Sequence, residues 1–327
     1  MNAKVGSTID DRYRVEELLG EGAVGAVYRV VEITSGHVLA LKQWNADILS
    51  AEVRNRFLRE TSALVGFDHP NIIKVFGHGM AGSVPYMVLE YVEGETLETW
   101  LRARGALEVA LAIDIARQAL SAIAYAHAQH VVHRDIKPEN IFLARGTGDR
   151  PLVKILDYGL AKFMAPTGDP RKDKTLTATG TVVGTPLYMP PEQATGVAVD
   201  LPVDVYAMGC VLFEMLTGRL PFVGESRMEL LTAHMRDPVP RLAELRSGIA
   251  EVEALQALLD RALAKKQTER YPNAGAMLGD LERIAARPGD PAQQVVPHAP
   301  SERRNSSLLL AIGVVVFAVV VILGLLR

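Results

Sequence analysis

The chain has 327 residues, 49% of them apolar and 22% charged. That composition supports a large buried core and excludes a disordered or fibrous protein. A formal net charge of −3 argues against a nucleic-acid binder, which carries a concentrated basic excess, and the single cysteine, Cys210, excludes a disulfide-stapled fold.

The first residues, MNAKVGSTIDDRYRVEELLG, hold no continuous apolar stretch, so no secretory signal is expected. Residues 13–92 read mainly as short strands rich in Val, Ile, Leu and aromatics, at 27–33, 37–44, 71–79 and 84–92. One helical stretch, 51–67, interrupts them. Beyond Glu95 the pattern turns helical. In 111–127 the residues Ile113, Ala116, Leu120, Ile123, Ala124 and His127 recur at three- and four-residue steps. Residues 204–217 predict an almost wholly apolar, buried helix in which Cys210 is a packing residue. A small sheet-rich lobe followed by a larger helical lobe implies an α+β architecture with a cleft between them. No internal repeat is visible.

Residues 284–307 predict a flexible linker, with four prolines in 287–307 and no sustained apolar period. Residues 308–326, LLLAIGVVVFAVVVILGLL, are 19 in number and carry no charge. At about 1.5 Å per residue such a helix matches the ~30 Å hydrocarbon slab, so one C-terminal transmembrane helix in contact with lipid is expected. Arg303 and Arg304 precede it and only Arg327 follows, which places the N-terminal side in the cytoplasm.

The chemistry concentrates in a few motifs. Gly20-Glu-Gly22-Ala-Val-Gly25-Ala-Val27 is followed by Tyr28, Val30 and Val31, which prefer strand. The loop therefore turns between two strands, and its glycines allow backbone N–H groups to approach a phosphate. An ordinary hairpin turn is the plain alternative. No G-x-x-x-x-G-K-[ST] run occurs, which disfavours a P-loop ATPase. Lys42 follows apolar strand residues and needs a counter-charge or water; Glu60 is a candidate partner. Next comes His133-Arg134-Asp135-Ile136-Lys137-Pro138-Glu139-Asn140, and 16 residues later Asp157-Tyr158-Gly159. Asn140 and Asp157 offer oxygen ligands suited to Mg²⁺. Asp135 can orient a hydroxyl and accept its proton, and Lys137 can neutralise a phosphoryl group. His133 sits on the apolar run His130-Val131-Val132 and reads as a core residue rather than a base.

In these motifs the chain resembles the eukaryotic-like (Hanks-type) serine/threonine protein kinases, most closely their bacterial membrane-anchored members. The resemblance covers about 13–283 and implies a bilobal protein kinase fold, with an N-lobe at about 13–92 and a C-lobe at about 93–283. It implies ATP and Mg²⁺ or Mn²⁺ as cofactors. Gly20, Gly22, Gly25, Val27, Ala40, Lys42, Glu90 and Val92 would bind ATP, the last two as a hinge beside the gatekeeper Leu89. Lys42 would pair with Glu60. Asp135 would be the catalytic base, Lys137 the γ-phosphate contact, and Asn140 and Asp157 the metal ligands. Leu64, Val75, His133 and Tyr158 match an apolar spine, and Glu192 and Arg270 a buried ion pair that holds the peptide-binding segment.

Two departures stand out. Tyr158 replaces the family's phenylalanine, so its hydroxyl needs a partner, and Pro190 replaces an alanine. The HRDIKPEN loop and Thr185 imply Ser/Thr on a protein as acceptor. Between Asp157 and Glu192 lie Thr167, Thr175, Thr177, Thr179 and Thr181; the resemblance favours Thr177 and Thr179 as phosphorylation sites, with Arg134 as the phosphate's partner. Autophosphorylation in trans within a homodimer is the expected activation. No extracellular sensor is expected after the membrane helix. The alternatives are a membrane-tethered pseudokinase scaffold and a small-molecule kinase. Retention of Lys42, Asp135 and Asp157 disfavours the first, and the segment 184–192 the second.

Overall fold

The computed structural model describes residues 3–22, 25–45, 61–62, 64–146, 150–158, 186–195 and 199–286. The chain divides into two compact units, Met1–Arg287 and Pro288–Arg327. The first is described below. Glu60, Thr177, Thr179, Thr185 and the apolar segment 308–326 lie outside the described residues.

The N-terminal half of the first unit is a six-stranded antiparallel sheet. Its strands are β1 (Thr8–Ile9), β2 (Tyr13–Gly22), β3 (Gly25–Glu32), β4 (Val38–Trp44), β5 (Val75–Ala81) and β6 (Val84–Glu90), in the order β1-β2-β3-β4-β6-β5. The period of two along each strand decides what each face buries. Tyr28 and Val30 pack with Leu39, Leu41, Tyr86 and Val88 on one face. Ala40, Trp44, Met87 and Leu89 turn to the other face and join the main core. Each such apolar side chain contributes roughly 1.5–3 kcal/mol on full burial. The sheet begins before Tyr13, where the sequence pattern begins. Asp10 and Asp11, at φ 53° and 49°, form a two-residue turn that lets Thr8–Ile9 pair with β2. Tyr86 Oη donates to Asp10 and fixes that turn.

The C-terminal half is helical around a three-stranded sheet, β7 (Gly94–Thr96), β8 (Ile141–Ala144) and β9 (Leu152–Ile155). Helix α1 (Leu97–Arg104) starts where Thr96 Oγ1 accepts from the Thr99 N–H, and α2 (Val109–Ala128) runs through the core. Among the described residues, α2 has the length and hydropathy to cross a membrane, yet nine of its residues pack into the protein core. Next come α3 (Pro191–Thr195) and α4 (Pro202–Thr217), which is buried on nearly every face. It ends at Gly218, whose φ of 71° suits a residue without a side chain and lets its N–H close on the Glu214 carbonyl. Helices α5 (Arg227–Arg236), α6 (Leu242–Leu245), α7 (Val252–Ala262) and α8 (Ala274–Ala285) complete the lobe.

The two halves share more than the backbone connection at 91–93. The Ile73 N–H donates to the Ile155 carbonyl at 3.0 Å, and the Ile155 N–H to the Asn71 carbonyl at 2.8 Å. Asn71 Nδ2 reaches the Val153 carbonyl at 2.9 Å. Lys154 and Glu90 form a largely buried ion pair at 2.6 Å. Strand β9 is therefore bonded to both lobes, and it leads directly into Asp157.

Candidate active site

Between the lobes lies a cavity of about 280 Å³. Gly20, Val27, Ala40, Lys42, Leu89 and Glu90 line it from the sheet, Val92 from the connection, and Asp157 from just beyond β9. The register explains this grouping. Val27 pairs with Lys42 across β3 and β4, and Ala40 with Leu89 across β4 and β6, so these side chains fall on neighbouring positions of one sheet face. Gly22 and Gly25 pair with each other at the tip of the β2–β3 hairpin. A Cβ on Gly25 would stand 2.0 Å from the Gln43 carbonyl oxygen, so only glycine fits there.

Lys42 Nζ lies 2.5 Å from Asp157 Oδ2. Its ammonium also stands 5.4 Å from the centroid of the buried Trp44 ring, within cation–π range. Asp157 has a φ of 58°, a left-handed conformation that is strained for a non-glycine residue and is held by the residues around it. Leu156, its neighbour, donates its N–H to the Asn140 carbonyl at 2.9 Å and accepts from His133 Nε2 at 2.7 Å.

A second cluster sits on the loop before β8. Asp135 Oδ2 is 2.9 Å from Lys137 Nζ and 3.0 Å from Asn140 Nδ2, which also donates to the Asp135 carbonyl at 2.7 Å. Both Asn140 donor contacts use its Nδ2, so its Oδ1 is the atom that could serve a cation as an oxygen ligand. Asn140 and Asp157 together give two oxygen ligands. Among the described residues no group of three or more His, Cys, Asp or Glu side chains makes a metal cage. Two protein ligands fit Mg²⁺, which keeps phosphate oxygens and water in its shell.

The loop is held from below by a carboxylate that sequence reasoning missed. Asp204, 1% exposed, accepts from the His133 N–H and the Arg134 N–H, both at 2.8 Å, and from His127 Nε2 at 2.9 Å. His127 Nδ1 accepts the Ala274 N–H at 3.2 Å, which assigns the proton to Nε2. The signal was present in the sequence: an acid at the start of the apolar run 203–216, flanked by Val203 and Val205, must find donors when buried. Arg134 takes a φ of 68° in this loop.

His133 is fully buried, as its place on the apolar run predicts. Its ring meets Tyr158 edge-on at 4.8 Å, and the Phe67 ring meets Tyr158 edge-on at 5.9 Å. Leu64 and Val75 belong to the same core. The Tyr158 hydroxyl is buried and has no hydrogen-bond partner among the described residues. Burial holds this phenol well above its ordinary pKa, so it stays neutral. An unsatisfied buried hydroxyl costs about 1–3 kcal/mol. Tyr158→Phe is therefore expected to raise thermal stability by about 1 kcal/mol, read as a higher unfolding temperature; a lower one contradicts the geometry. Glu192 and Arg270 form a buried two-bond pair at 2.7 and 2.8 Å.

The model for the protein kinase domain matches residues 13–278. The chain belongs to the protein kinase domain family. Membership of that family goes with use of ATP and a divalent metal ion. The chain is 37% identical to serine/threonine-protein kinase pkn3 of Myxococcus xanthus, over 94% of this chain and 55% of that protein. It is 35% identical to serine/threonine-protein kinase PknB of Mycobacterium tuberculosis, over 93% of this chain and 47% of that protein. The chain thus spans about half the length of the curated relatives it matches. Among solved structures, the kinase domain of Mycobacterium tuberculosis PknI superposes with a TM-score of 0.67 at 25% identity, covering 86% of this chain and 99% of that one. Rad53 in complex with AMP-PNP gives a TM-score of 0.67 at 29% identity, over 82% of this chain and 64% of that one. The bilobal kinase fold, with a strand-rich first lobe and a helical second lobe, agrees with the expectation from the motifs.

Proposed function

We propose that this chain is a membrane-anchored serine/threonine protein kinase that transfers the γ-phosphate of ATP to Ser/Thr hydroxyls. The observation that carries the reading is the convergence of Lys42 and Asp157 on one cavity, beside the Asp135–Lys137–Asn140 cluster. Likeness to named serine/threonine kinases over most of the chain supports it, as does likeness to Rad53 complexed with AMP-PNP. In this reading Val27, Ala40 and Leu89 enclose the adenine, and backbone groups of Glu90 and Val92 bond its edge. Gly20, Gly22 and Gly25 let the hairpin backbone approach the phosphates. Lys42 would pair with the α/β-phosphates, and Glu60, outside the described residues, is the further partner that the family resemblance gives it. Asn140 and Asp157 would hold Mg²⁺, which would supply positive charge to the phosphates. Asp135 accepts the proton of the acceptor hydroxyl as that oxygen bonds to the γ-phosphorus and the bond from phosphorus to the β,γ-bridging oxygen breaks to release ADP, while Lys137 offsets negative charge on the transferred group. Thr185, outside the described residues, matches the family threonine that would bridge Asp135 and Lys137. Full-length protein incubated with labelled ATP, Mg²⁺ and a generic basic protein tests the reading; nucleotide binding without transfer overturns it in favour of a scaffold.

Activation by phosphorylation in trans at Thr177 and Thr179 fits the same site. The Arg134 guanidinium, next to Asp135, has no ion pair among the described residues, and a phosphate of about −1.5 to −2 charge suits it. The double variant Thr177→Ala/Thr179→Ala is expected to lose about tenfold or more in activity; full activity removes this mechanism. The anchor at 308–326, with Arg303 and Arg304 before it, puts the kinase domain in the cytoplasm. Protease added to intact cells is expected to spare the domain, and its digestion refutes that orientation.

A further inference from the structure

The segment 186–190 runs beside the catalytic loop. Gln193 Nε2, three residues on, donates to the Arg134 carbonyl at 3.1 Å. Tyr188 Oη donates to Glu214 at 2.6 Å, and the Glu139 charge acts on both groups. On the kinase reading, 186–190 belongs to the segment 184–192 that would position the acceptor. Beneath it lies a small separate core of Tyr206, Cys210, Phe222, Leu230, Ala233 and Leu263, on which Leu187 and Tyr188 rest.

Two cations bracket that core. The Phe222 and Tyr206 rings stack at 6.5 Å with 16° between their planes. The Arg270 guanidinium lies 4.7 Å from the Tyr206 ring centroid and grips Glu192 of α3. The Lys265 ammonium lies 3.9 Å from the Phe222 centroid and donates to the His234 carbonyl at 2.9 Å. His234 stands in the last turn of α5, where the helix dipole favours a cation. Leu187 packs on the same small core as Leu230 and Ala233 of α5. Arg270 thus fixes the chain after the segment, and Lys265 fixes the helix against which the segment leans.

The cation at 265 is costly. Burial, with a smaller contribution from Arg270, pushes its amine down to about 8, while Cys210 and Asp237 pull it back up. His234 offers no counter-charge, since burial pushes that ring down to about 4 and keeps it neutral. A methionine of similar length would fill the space without that cost, so packing alone does not call for a lysine.

We propose that Lys265 is a positioning residue for the protein acceptor, holding α5 and, through it, the segment 186–190 at the height that presents an acceptor hydroxyl to Asp135. This rests on the kinase reading above. The test uses the full chain and three forms: parent, Lys265→Met and Lys265→Arg. Lys265→Met is expected to raise KM for the protein acceptor by about five- to tenfold, the scale of one dipole and one cation–π contact. Its kcat, its KM for ATP and its unfolding temperature are expected to hold or, for the last, to rise. Lys265→Arg restores the acceptor KM. Amide exchange at Leu187 and Tyr188 and along α5 is expected to quicken in Lys265→Met alone. An unchanged acceptor KM, unchanged exchange, or a lowered unfolding temperature in Lys265→Met overturns the proposal. A parent protein that transfers no phosphate instead overturns the kinase reading, and the exchange measurement still decides the role of Lys265.

Discussion

Replacing Asp135 with Asn is expected to lower phosphoryl transfer by about 10²–10⁴-fold, the usual worth of a positioned general base. The substitution keeps the shape and the Asn140 contact at 3.0 Å but removes the proton acceptor. It also removes the charge facing Lys137 at 2.9 Å. Asp135 does not line the interlobe cavity, so nucleotide affinity is expected to remain within a few-fold of the parent. Transfer rates with labelled ATP and titration of a fluorescent nucleotide separate the two effects. Transfer within tenfold of the parent would falsify the role given to Asp135.

Asp204→Ala acts on the same loop from the opposite side. The carboxylate accepts from three buried groups, two of them backbone N–H groups of His133 and Arg134. Removing it leaves all three donors without an acceptor in a site shut off from water. The expected loss is about 4 kcal/mol, from the cost of stranding buried donors of a charged acceptor. For a domain of this size that corresponds to an unfolding temperature lower by ~10 °C. Asp204→Asn keeps one acceptor oxygen and should recover part of the loss. Calorimetry that finds Asp204→Ala as stable as the parent shows that the loop is held by something else.

Much of this site is legible in the chain. The strands at 84–92 and 37–44 and the helices at 111–127 and 204–217 appear close to where their periodicity sets them, because apolar spacing reports directly on which face is buried. The motif residues Lys42 and Asp157 meet although 115 positions separate them. That meeting came from resemblance, since no local pattern measures distance through space. Asp204, Trp44 and Lys154 escaped notice for the same reason: each acts through a partner that only the tertiary fold supplies. Strand β1 was missed because two residues carry no period, and its existence depends on the Asp10–Asp11 turn. The Tyr158 hydroxyl was flagged as needing a partner, and the fold gives it none among the described residues.

Strand β9 has a consequence for how the polypeptide acquires its shape. A fragment cut at residue 92 would expose the Asn71 and Ile73 backbone groups that β9 satisfies, and would strip Glu90 of the ammonium beside it. The complementary fragment would carry Lys154 as an unneutralised charge against apolar neighbours. Neither piece is a self-sufficient folding unit, so the two lobes melt together as one cooperative block, and splitting the gene at the connection yields halves that are stable only when they reassociate.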